Sequence, residues 1–223
     1  MIFDEFDITL PKGGGEYKKV NRYLLLFLLL FALARACADV LADGEENPLI
    51  LVENTANQML SELKKRKQEL QANPEKIYEL VDHIVLPRFD FVRMSRLSLG
   101  RYWRRATEPQ RKAFVEAFRQ LLVRTYATAL LNYSDQEIIY KPQRQAPGAK
   151  YVTVKTVVSE PGGTPVPIDY RLHRKNGEWK VFDVSVDGVS LVSNYRSSFA
   201  SQIRRYKMDG LIRKLQSKNQ PGD

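Results

Sequence analysis

Reactive side chains are scarce in this sequence. Its 223 residues include one cysteine, Cys37, and two histidines, His83 and His173. A single thiol cannot form an intramolecular disulfide, and three such residues leave a tetrahedral zinc site short of its usual ligands. Hydrolysis by a side-chain nucleophile needs a base within reach, and few candidates exist. The sequence also lacks a P-loop, a G-x-G-x-x-G stretch and an H-E-x-x-H helix, which excludes most nucleotide- and zinc-dependent enzymes.

The carboxylates do not form an evident catalytic pair. Asp183 and Asp187 lie near the predicted sheet and its exit, and Asp187 is followed by glycine, as in a turn. If the domain is an enzyme, Asp183 or Asp169 is the candidate for a buried acid that transfers protons. His83 lies in a helical stretch and His173 on the polar face of a predicted strand, so both are expected at the surface. The sequence therefore favours a protein that is not an enzyme.

Long hydrophobic runs are scarce as well. The run at residues 24–34 is too short to cross a bilayer, which takes roughly 20 apolar residues. Basic residues precede it, and Ala36-Cys37-Ala38 follows as an A-x-A cleavage pattern. Residues 20–38 are therefore predicted to be a signal peptide that leaves Asp39 as the first mature residue. A lipoprotein signal with an acylated Cys37 is the alternative, which Arg35 beside the cut does not fit.

Residues 1–19 do not resemble the start of an exported protein, because they combine the acidic stretch MIFDEFD with a glycine triplet. We interpret them as an extension from start-site choice, with Val20 as the initiator, since a GUG start codon is written as valine in an over-long reading frame. Residues 39–223 are then a single domain, long enough to enclose a core or a cavity.

The mature chain is expected to be basic. Loss of residues 1–38 removes five basic and four acidic residues, which changes the net charge from +9 to +8. Such a charge suits anionic lipid headgroups or an acidic protein surface. Nucleic acid is not an expected partner of an exported chain.

Helix signals lie on both sides of a central block of strands. Asn47-Pro48 and Asn73-Pro74 each place a capping residue before a proline, and Thr107 begins a longer helix with capping-box spacing. Pro87 is predicted to end the second helix. The first helix carries an apolar stripe formed by Val52, Ala56, Met59, Leu60 and Leu63.

The helical period returns near the C-terminus. It begins after Asp187-Gly188, and Asp209-Gly210 is predicted to separate a last short helix. The helix between these two signals carries an apolar stripe formed by Leu191, Tyr195, Phe199 and Ile203.

Between these helices, four segments have strand composition: EIIYKP, KYVTVKTVVS, VPIDYRLHR and EWKVFDVSV. Asn176-Gly177 joins the last two and is a strong hairpin signal. The order predicts an α+β fold in which a strongly curved antiparallel sheet of about four strands is covered by helices. The interior of such a cone can stay open as an apolar cavity, which favours a carrier of apolar ligands.

Residues 89–133 and 176–215 resemble the MlaC family of periplasmic phospholipid-binding proteins, also called toluene-tolerance or Ttg2D proteins. The resemblance rests on LGRYW, on the capped ATEPQR-x-x-F helix and on W-K-V-x-D-V-x-x-x-G-V-S-L, in this order and spacing. It extends over essentially the whole predicted mature chain.

The resemblance implies a soluble shuttle in the periplasm of a Gram-negative cell. In the family, the acyl chains of a diacyl phospholipid lie inside the cone and its headgroup lies in water, and the resemblance implies the same arrangement here. The implied partners are an outer-membrane Mla lipoprotein complex and an inner-membrane Mla ABC transporter complex, and the implied role is to maintain outer-membrane lipid asymmetry. No cofactor is expected apart from the phospholipid cargo.

Periodicity supplies candidates for the interior wall of the cavity, and a phase error in any strand would move its set to the wrong face. On the long helix and the sheet they are Phe118, Leu122, Tyr126, Leu130, Tyr140, Val152, Val154, Ile168, Tyr170, Val181 and Val184. The C-terminal helix would add Val192, Tyr195 and Phe199.

A basic cluster could meet lipid phosphate or an acidic docking surface, and a plain solvated face is the equal alternative. It consists of Arg93, Arg96, Arg101, Arg104 and Arg105. Two further hypotheses stay open from the sequence alone: an interaction module with a filled core, and an enzyme on the cone-shaped fold.

The predicted processing can be tested directly. We expect the mature protein to begin at Asp39 and no peptide from residues 1–17 to exist in cells, because synthesis starts at Val20 and the signal is removed. Mass spectrometry of the exported protein and of whole-cell digests measures both. A peptide from residues 1–17 contradicts the start site, and an acylated Cys37 contradicts the cleavage.

Overall fold

The computed structural model describes residues 47–127, 130–131, 137–142, 146, 148–159 and 163–219. The predicted extension at residues 1–19, the signal peptide at residues 20–38 and its cleavage site lie outside these residues. In the described part no helix combines the length and the hydropathy needed to cross a bilayer.

The helices begin and end largely where the capping signals predict. They are α1 (Pro48–Lys65), α2 (Lys67–Ala72), α3 (Lys76–Leu80), α4 (Phe91–Leu99), α5 (Arg101–Arg105), α6 (Glu108–Ala127) and α7 (Leu191–Lys218). The Oδ1 atom of Asn47 accepts the N–H of Leu49 at 2.9 Å, which confirms the cap of α1. Thr107 and Gln110 exchange two hydrogen bonds of 3.0 and 3.4 Å before α6, which confirms the capping box.

The chain between α3 and α4 departs from regular α-helix. A π-helical turn at Val81–Val85 is followed by a 3₁₀ turn at Leu86–Arg88 that contains Pro87. The predicted stop at Pro87 is therefore confirmed, because proline interrupts the regular hydrogen-bond pattern. The next residue, Phe89, forms a bridge to Val181 of the sheet.

In the described ranges, five strands form an antiparallel meander in the order β1-β2-β3-β4-β5. They are β1 (Glu137–Tyr140), β2 (Tyr151–Ser159), β3 (Val166–Lys175), β4 (Glu178–Val186) and β5 (Val189–Ser190). The α+β class and the antiparallel sheet are confirmed, with one strand more than predicted. Asn176 and Gly177 turn with φ of 53° and 86°, as a tight hairpin between twisted strands requires.

Strand β4 contains a bulge at Phe182. Leu172 lies opposite Val181 and Arg171 opposite Asp183, so Phe182 has no partner on β3. The extra residue shifts the alternation of β4 by one, because side chains alternate with a period of two. Val181 and Val184 therefore face the same side of the sheet although three positions separate them.

Three apolar clusters make up the described core. One joins α4, α6 and α7 through Phe114, Phe118 and Phe199. A second lies among α1, α2, α3 and the end of α6, and a third packs the start of α1 onto the sheet around Trp179. The interruption of α7 falls at Lys207, where φ is 59°, two residues before the predicted Asp209.

Asp183 holds the start of α7 against β4. Its side chain is 1% exposed. It accepts hydrogen bonds from the backbone N–H of Val192 at 3.1 Å and the hydroxyl of Ser190 at 2.7 Å. A carboxylate at a helix N-terminus is also favoured by the helix dipole. These hydrogen bonds engage both carboxylate oxygens of Asp183 within the fold, and the side chain points away from the face that carries Val184. Both observations argue against Asp183 as an acid that transfers protons.

Replacing Asp183 should destabilise the domain more than replacing its neighbour on the same face. We expect Asp183→Ala to lower the free energy of unfolding by about 3 kcal/mol, since it removes charge-assisted bonds from buried donors. Asp169→Ala, at a half-buried position, should change it by less than about 1 kcal/mol. Urea denaturation of both variants measures this difference, and equal effects would contradict the role of Asp183 as the cap of α7.

Candidate functional site

A cavity of about 770 Å³ lies between the sheet and the helices. Its sheet wall consists of Ile138, Val158, Ser159, Thr164, Val166, Ile168, Tyr170, Val181, Val184 and Val186. Its helical wall consists of Leu51, Val52, Thr55, Ala56, Met59, Leu60, Val81, Val85, Leu122, Val123, Tyr126, Ala127 and Leu130. Leu86, Arg88, Phe89, Phe91, Met94 and Leu191 complete it. The wall is almost entirely apolar.

Local geometry explains the sheet wall. Val166, Ile168 and Tyr170 alternate along β3 and share one face. On β4 the bulge allows Val181, Val184 and Val186 to point to this same face. The cavity therefore extends along β4 from Val181 to Val186, which lie opposite Leu172 and Ile168 and are thus about 13 Å apart at the usual rise of a strand.

Half of the side chains predicted for the interior line this cavity. They are Leu122, Tyr126, Leu130, Ile168, Tyr170, Val181 and Val184. The seven others do not line it: Phe118, Tyr140, Val152, Val154, Val192, Tyr195 and Phe199. Contact of any of the fourteen with an acyl chain stays a prediction.

On the sheet, the placement of α1 decides which candidate side chains line the cavity and which do not. Val152 and Val154 share the face of Val158, but the first turns of α1 cover them. Leu51 and Val52 pack there with Trp179, so that end of the sheet is filled. Val154 is fully buried as a result. Val152 and Val154 thus lie on the cavity side of β2, but β2 lines the cavity only at Val158 and Ser159.

On the helices, the aromatic stripe divides between two environments. Phe118, Tyr195 and Phe199 pack against one another with ring centroids 5.1 to 5.3 Å apart, which joins α6 to α7. The positions one and two turns further along α6, Leu122 and Tyr126, face the cavity instead. Periodicity predicts that an apolar stripe faces the interior, but it cannot tell whether the stripe packs against another helix or faces a cavity.

The predicted basic cluster lies outside the cavity wall. Arg93 stacks over Phe182 at 4.7 Å and donates to the hydroxyl of Tyr151 at 3.3 Å. Arg101 stacks over its neighbour Tyr102. The exposed members are Arg96, Arg101, Arg104 and Arg105. A role for the cluster in partner or headgroup contact stays a prediction.

Several cavity residues were not among the sequence candidates. The stripe of α1 carried a signal, since Val52, Ala56 and Met59 were recognised as a packing face without being assigned to the cavity. Val81 and Val85 also fit the apolar pattern of the second predicted helix without being assigned to the cavity. Leu86, Arg88 and Phe89 carry no such signal, because a 3₁₀ turn has no simple period.

The wall of the cavity provides a low-polarity environment. Burial raises the pKa of Tyr170 to about 12, with a smaller contribution from Tyr140. Within the described wall, Arg88 is the one charged residue. No group of three or more histidine, cysteine or acidic residues with metal-binding geometry occurs in the described part of the chain. Such a cavity can hold an extended apolar ligand.

A buried polar network anchors one edge of the cavity. Asp90, which is 6% exposed, accepts from the backbone N–H of Arg93 at 3.0 Å and lies 3.1 Å from Lys175 Nζ. Its third partner is His173 Nε2 at 3.1 Å. The predicted surface position of His173 is wrong, because α4 and its preceding turn cover that face of β3, and the ring is 7% exposed. The network fixes the residue that follows Phe89.

The charges of this network follow from its surroundings. Burial lowers the pKa of His173, and the positive charge of Arg93 adds to the effect while Asp90 opposes it. Burial alone would raise the pKa of Asp90, but the N–H of Arg93 and the ammonium of Lys175 together outweigh it and the pKa is lowered. A neutral His173 therefore donates to an ionised Asp90.

The fold and the cavity define a class of protein: an α+β domain that keeps a large apolar ligand cavity between a sheet and its covering helices. The sequence profile described as MlaC protein matches residues 53–217. The chain therefore belongs to the MlaC family.

Individual relatives agree with this assignment. The chain is 31% identical over 187 residues to the toluene tolerance protein ttg2D of Pseudomonas putida, covering 83% of each chain. It is 25% identical over 198 residues to the intermembrane phospholipid transport system binding protein MlaC of Haemophilus influenzae, covering 87% of this chain and 92% of the relative.

A solved structure has the same fold. The phospholipid-binding protein of Ralstonia solanacearum in complex with a phospholipid is 34% identical and superimposes with a TM-score of 0.72. The match covers 78% of this chain and 97% of that one.

The network should give the fold a specific pH dependence. The pKa of His173 is lower in the folded chain than the unfolded value of about 6.5, so the unfolded chain binds the proton more tightly. His173 therefore stabilises the fold above about pH 6.5, and this contribution is lost as the pH falls through the folded-state pKa.

We expect His173→Gln to flatten the decline in the urea midpoint between about pH 7 and 5, since one fewer proton is taken up on unfolding. His83→Gln, at an exposed position, is the control and should keep the decline of the parent protein. A decline that is unchanged in His173→Gln would contradict the neutral buried histidine.

Proposed function

We propose that the chain is a periplasmic carrier that binds a diacyl phospholipid and moves it between the outer and inner membranes. The acyl chains occupy the apolar cavity and the headgroup stays in water. In this role the carrier helps to maintain the lipid asymmetry of the outer membrane. The observation that carries the proposal is the 770 Å³ cavity with an apolar wall.

The size and chemistry of the cavity support a lipid ligand. Small-molecule sites usually measure about 300 to 1,000 Å³, so this one lies near the upper end. Each methylene moved from water into an apolar site gains about 0.8 kcal/mol, so a two-chain lipid needs such a cover to cross water at a useful rate.

The names of the relatives support the same ligand. The Haemophilus influenzae relative is described as the binding protein of an intermembrane phospholipid transport system, and the Ralstonia solanacearum structure contains a phospholipid. By analogy, the proposed partners are an outer-membrane Mla lipoprotein complex and an inner-membrane Mla ABC transporter complex. The predicted signal peptide supports the periplasm as the compartment.

The alternatives receive less support. Neither acid considered for an enzyme, Asp183 or Asp169, lies on the cavity wall, and Asp183 caps α7. A module with a filled core would leave no cavity of this volume. The proposal therefore includes no catalytic step and no cofactor, only cargo.

The experiment is to purify the protein under native conditions, extract it with organic solvent and quantify phospholipid by mass spectrometry. We expect about one phospholipid per protein. Val158→Asp should reduce this at least about tenfold, because an unpaired carboxylate next to acyl chains costs several kcal/mol.

Val157→Asp is the matched control for this variant. Val157 and Val158 are neighbours on β2, and both are half-buried, but only Val158 faces the cavity. The control should retain its lipid. A protein that copurifies without phospholipid, or equal retention in the two variants, would overturn the proposal.

A further inference from the structure

Arg88 stands out on the cavity wall because it is the one charged side chain there within the described residues. The other polar members are neutral: Thr55, Tyr126, Ser159, Thr164 and Tyr170. Arg88 is also exposed, so this residue lies at the edge of the cavity where solvent begins. An arginine at the border of an apolar cavity has one side on the ligand and one side on water.

The backbone around Arg88 is fixed to the sheet on both sides. The carbonyl of Pro87 accepts a hydrogen bond from Lys180 Nζ at 2.9 Å. The N–H of Asp90 donates to the carbonyl of Val181 at 2.8 Å. The position of Arg88 relative to β4 is therefore set before any ligand binds, which lowers the entropic cost of a contact.

Among the described residues, no carboxylate neutralises the charge of Arg88. Within the described residues its guanidinium forms no ion pair within 4.0 Å. Glu178 is close enough for Arg88 to add slightly to the lowering of its pKa, which Lys180 chiefly causes. However, the Glu178 carboxylate is bound to Lys180 Nζ at 2.6 Å. The guanidinium is available for an anion from outside the chain.

We propose that Arg88 binds the phosphate of the bound phospholipid. This inference rests on the proposed function and adds to it the orientation of the cargo. Guanidinium and phosphate match in charge and in bidentate geometry. The headgroup then lies beside the turn that holds Arg88, and the acyl chains run along β4 from Val181 towards Val186 and Leu191.

A contact between Arg88 and the phosphate favours phospholipids as a class and does not distinguish one phospholipid headgroup from another. All diacyl phospholipids share the phosphate, whereas a diacylglycerol with the same acyl chains lacks it. Arg88 should therefore favour phosphatidylglycerol and phosphatidylethanolamine alike over diacylglycerol.

The test uses vesicles that contain phosphatidylglycerol, phosphatidylethanolamine and diacylglycerol with identical acyl chains. The delipidated full-length mature protein is incubated with them and re-isolated, and the bound lipids are quantified by mass spectrometry. The ratio of each phospholipid to diacylglycerol is compared among variants, because a ratio is insensitive to the fraction of protein that folds.

We expect Arg88→Ala to lower both ratios about tenfold, the effect of losing one charge-assisted contact. Arg88→Lys keeps the charge without the bidentate fork, so it should lower them less. Arg213→Ala, at an exposed position of α7 off the cavity wall and outside the basic cluster, should leave them unchanged. Unchanged ratios in Arg88→Ala would overturn the inference.

Further arms separate the remaining explanations. If Ser159→Ala with Thr164→Val lowers the ratios more than Arg88→Ala, the headgroup lies at the opposite end and the orientation is wrong. If the delipidated parent protein binds inorganic phosphate and Arg88→Ala does not, while both take up the three lipids in the same ratios, Arg88 takes a free anion and the inference is overturned. A parent protein that takes up none of the three lipids refutes the proposed function itself.

Discussion

A β-strand can present only every second side chain to one face of its sheet, and β4 departs from this constraint at Phe182. The bulge there turns Val181, Val184 and Val186 towards the cavity. It also places Phe182 and Asp183 on the other face, where Phe182 packs among the helices and Asp183 caps α7. Without the extra residue, one end of β4 would present the wrong set of side chains to each layer.

The chain's own side chains fill the interior between the sheet and the helices only in part. At one end of the sheet α1, Trp179 and the valines of β2 pack closely, and between α6 and α7 the aromatic rings do the same. Within the part of the chain that the structure describes, the remaining apolar wall has no protein partner, although interiors are normally packed as tightly as organic crystals. A bound lipid with two acyl chains would supply the missing contacts. The cargo would then complete the packing of the hydrophobic core.

Local signals predicted most of the fold, because capping residues, prolines and hairpin turns act within a few residues. Asn47, Thr107 and Asn176-Gly177 are found in the roles that their sequence contexts predicted. The placement of His173 failed, since whether a polar strand face meets water or a helix depends on α4, which is distant in sequence. For the same reason, periodicity could not predict which of the candidate wall residues line the cavity and which pack in the core. Phe118 and Tyr126 belong to one stripe of α6, but Phe118 packs against other side chains and Tyr126 faces the cavity.

The most direct measurement of the central claim is a crystal structure of the mature protein purified without detergent or added lipid. The account predicts continuous density for two acyl chains within the cavity, in contact with Val158, Val184 and Leu122, and a headgroup in solvent. A cavity that is closed by movement of α1 onto the sheet, or filled by ordered water alone, would contradict it.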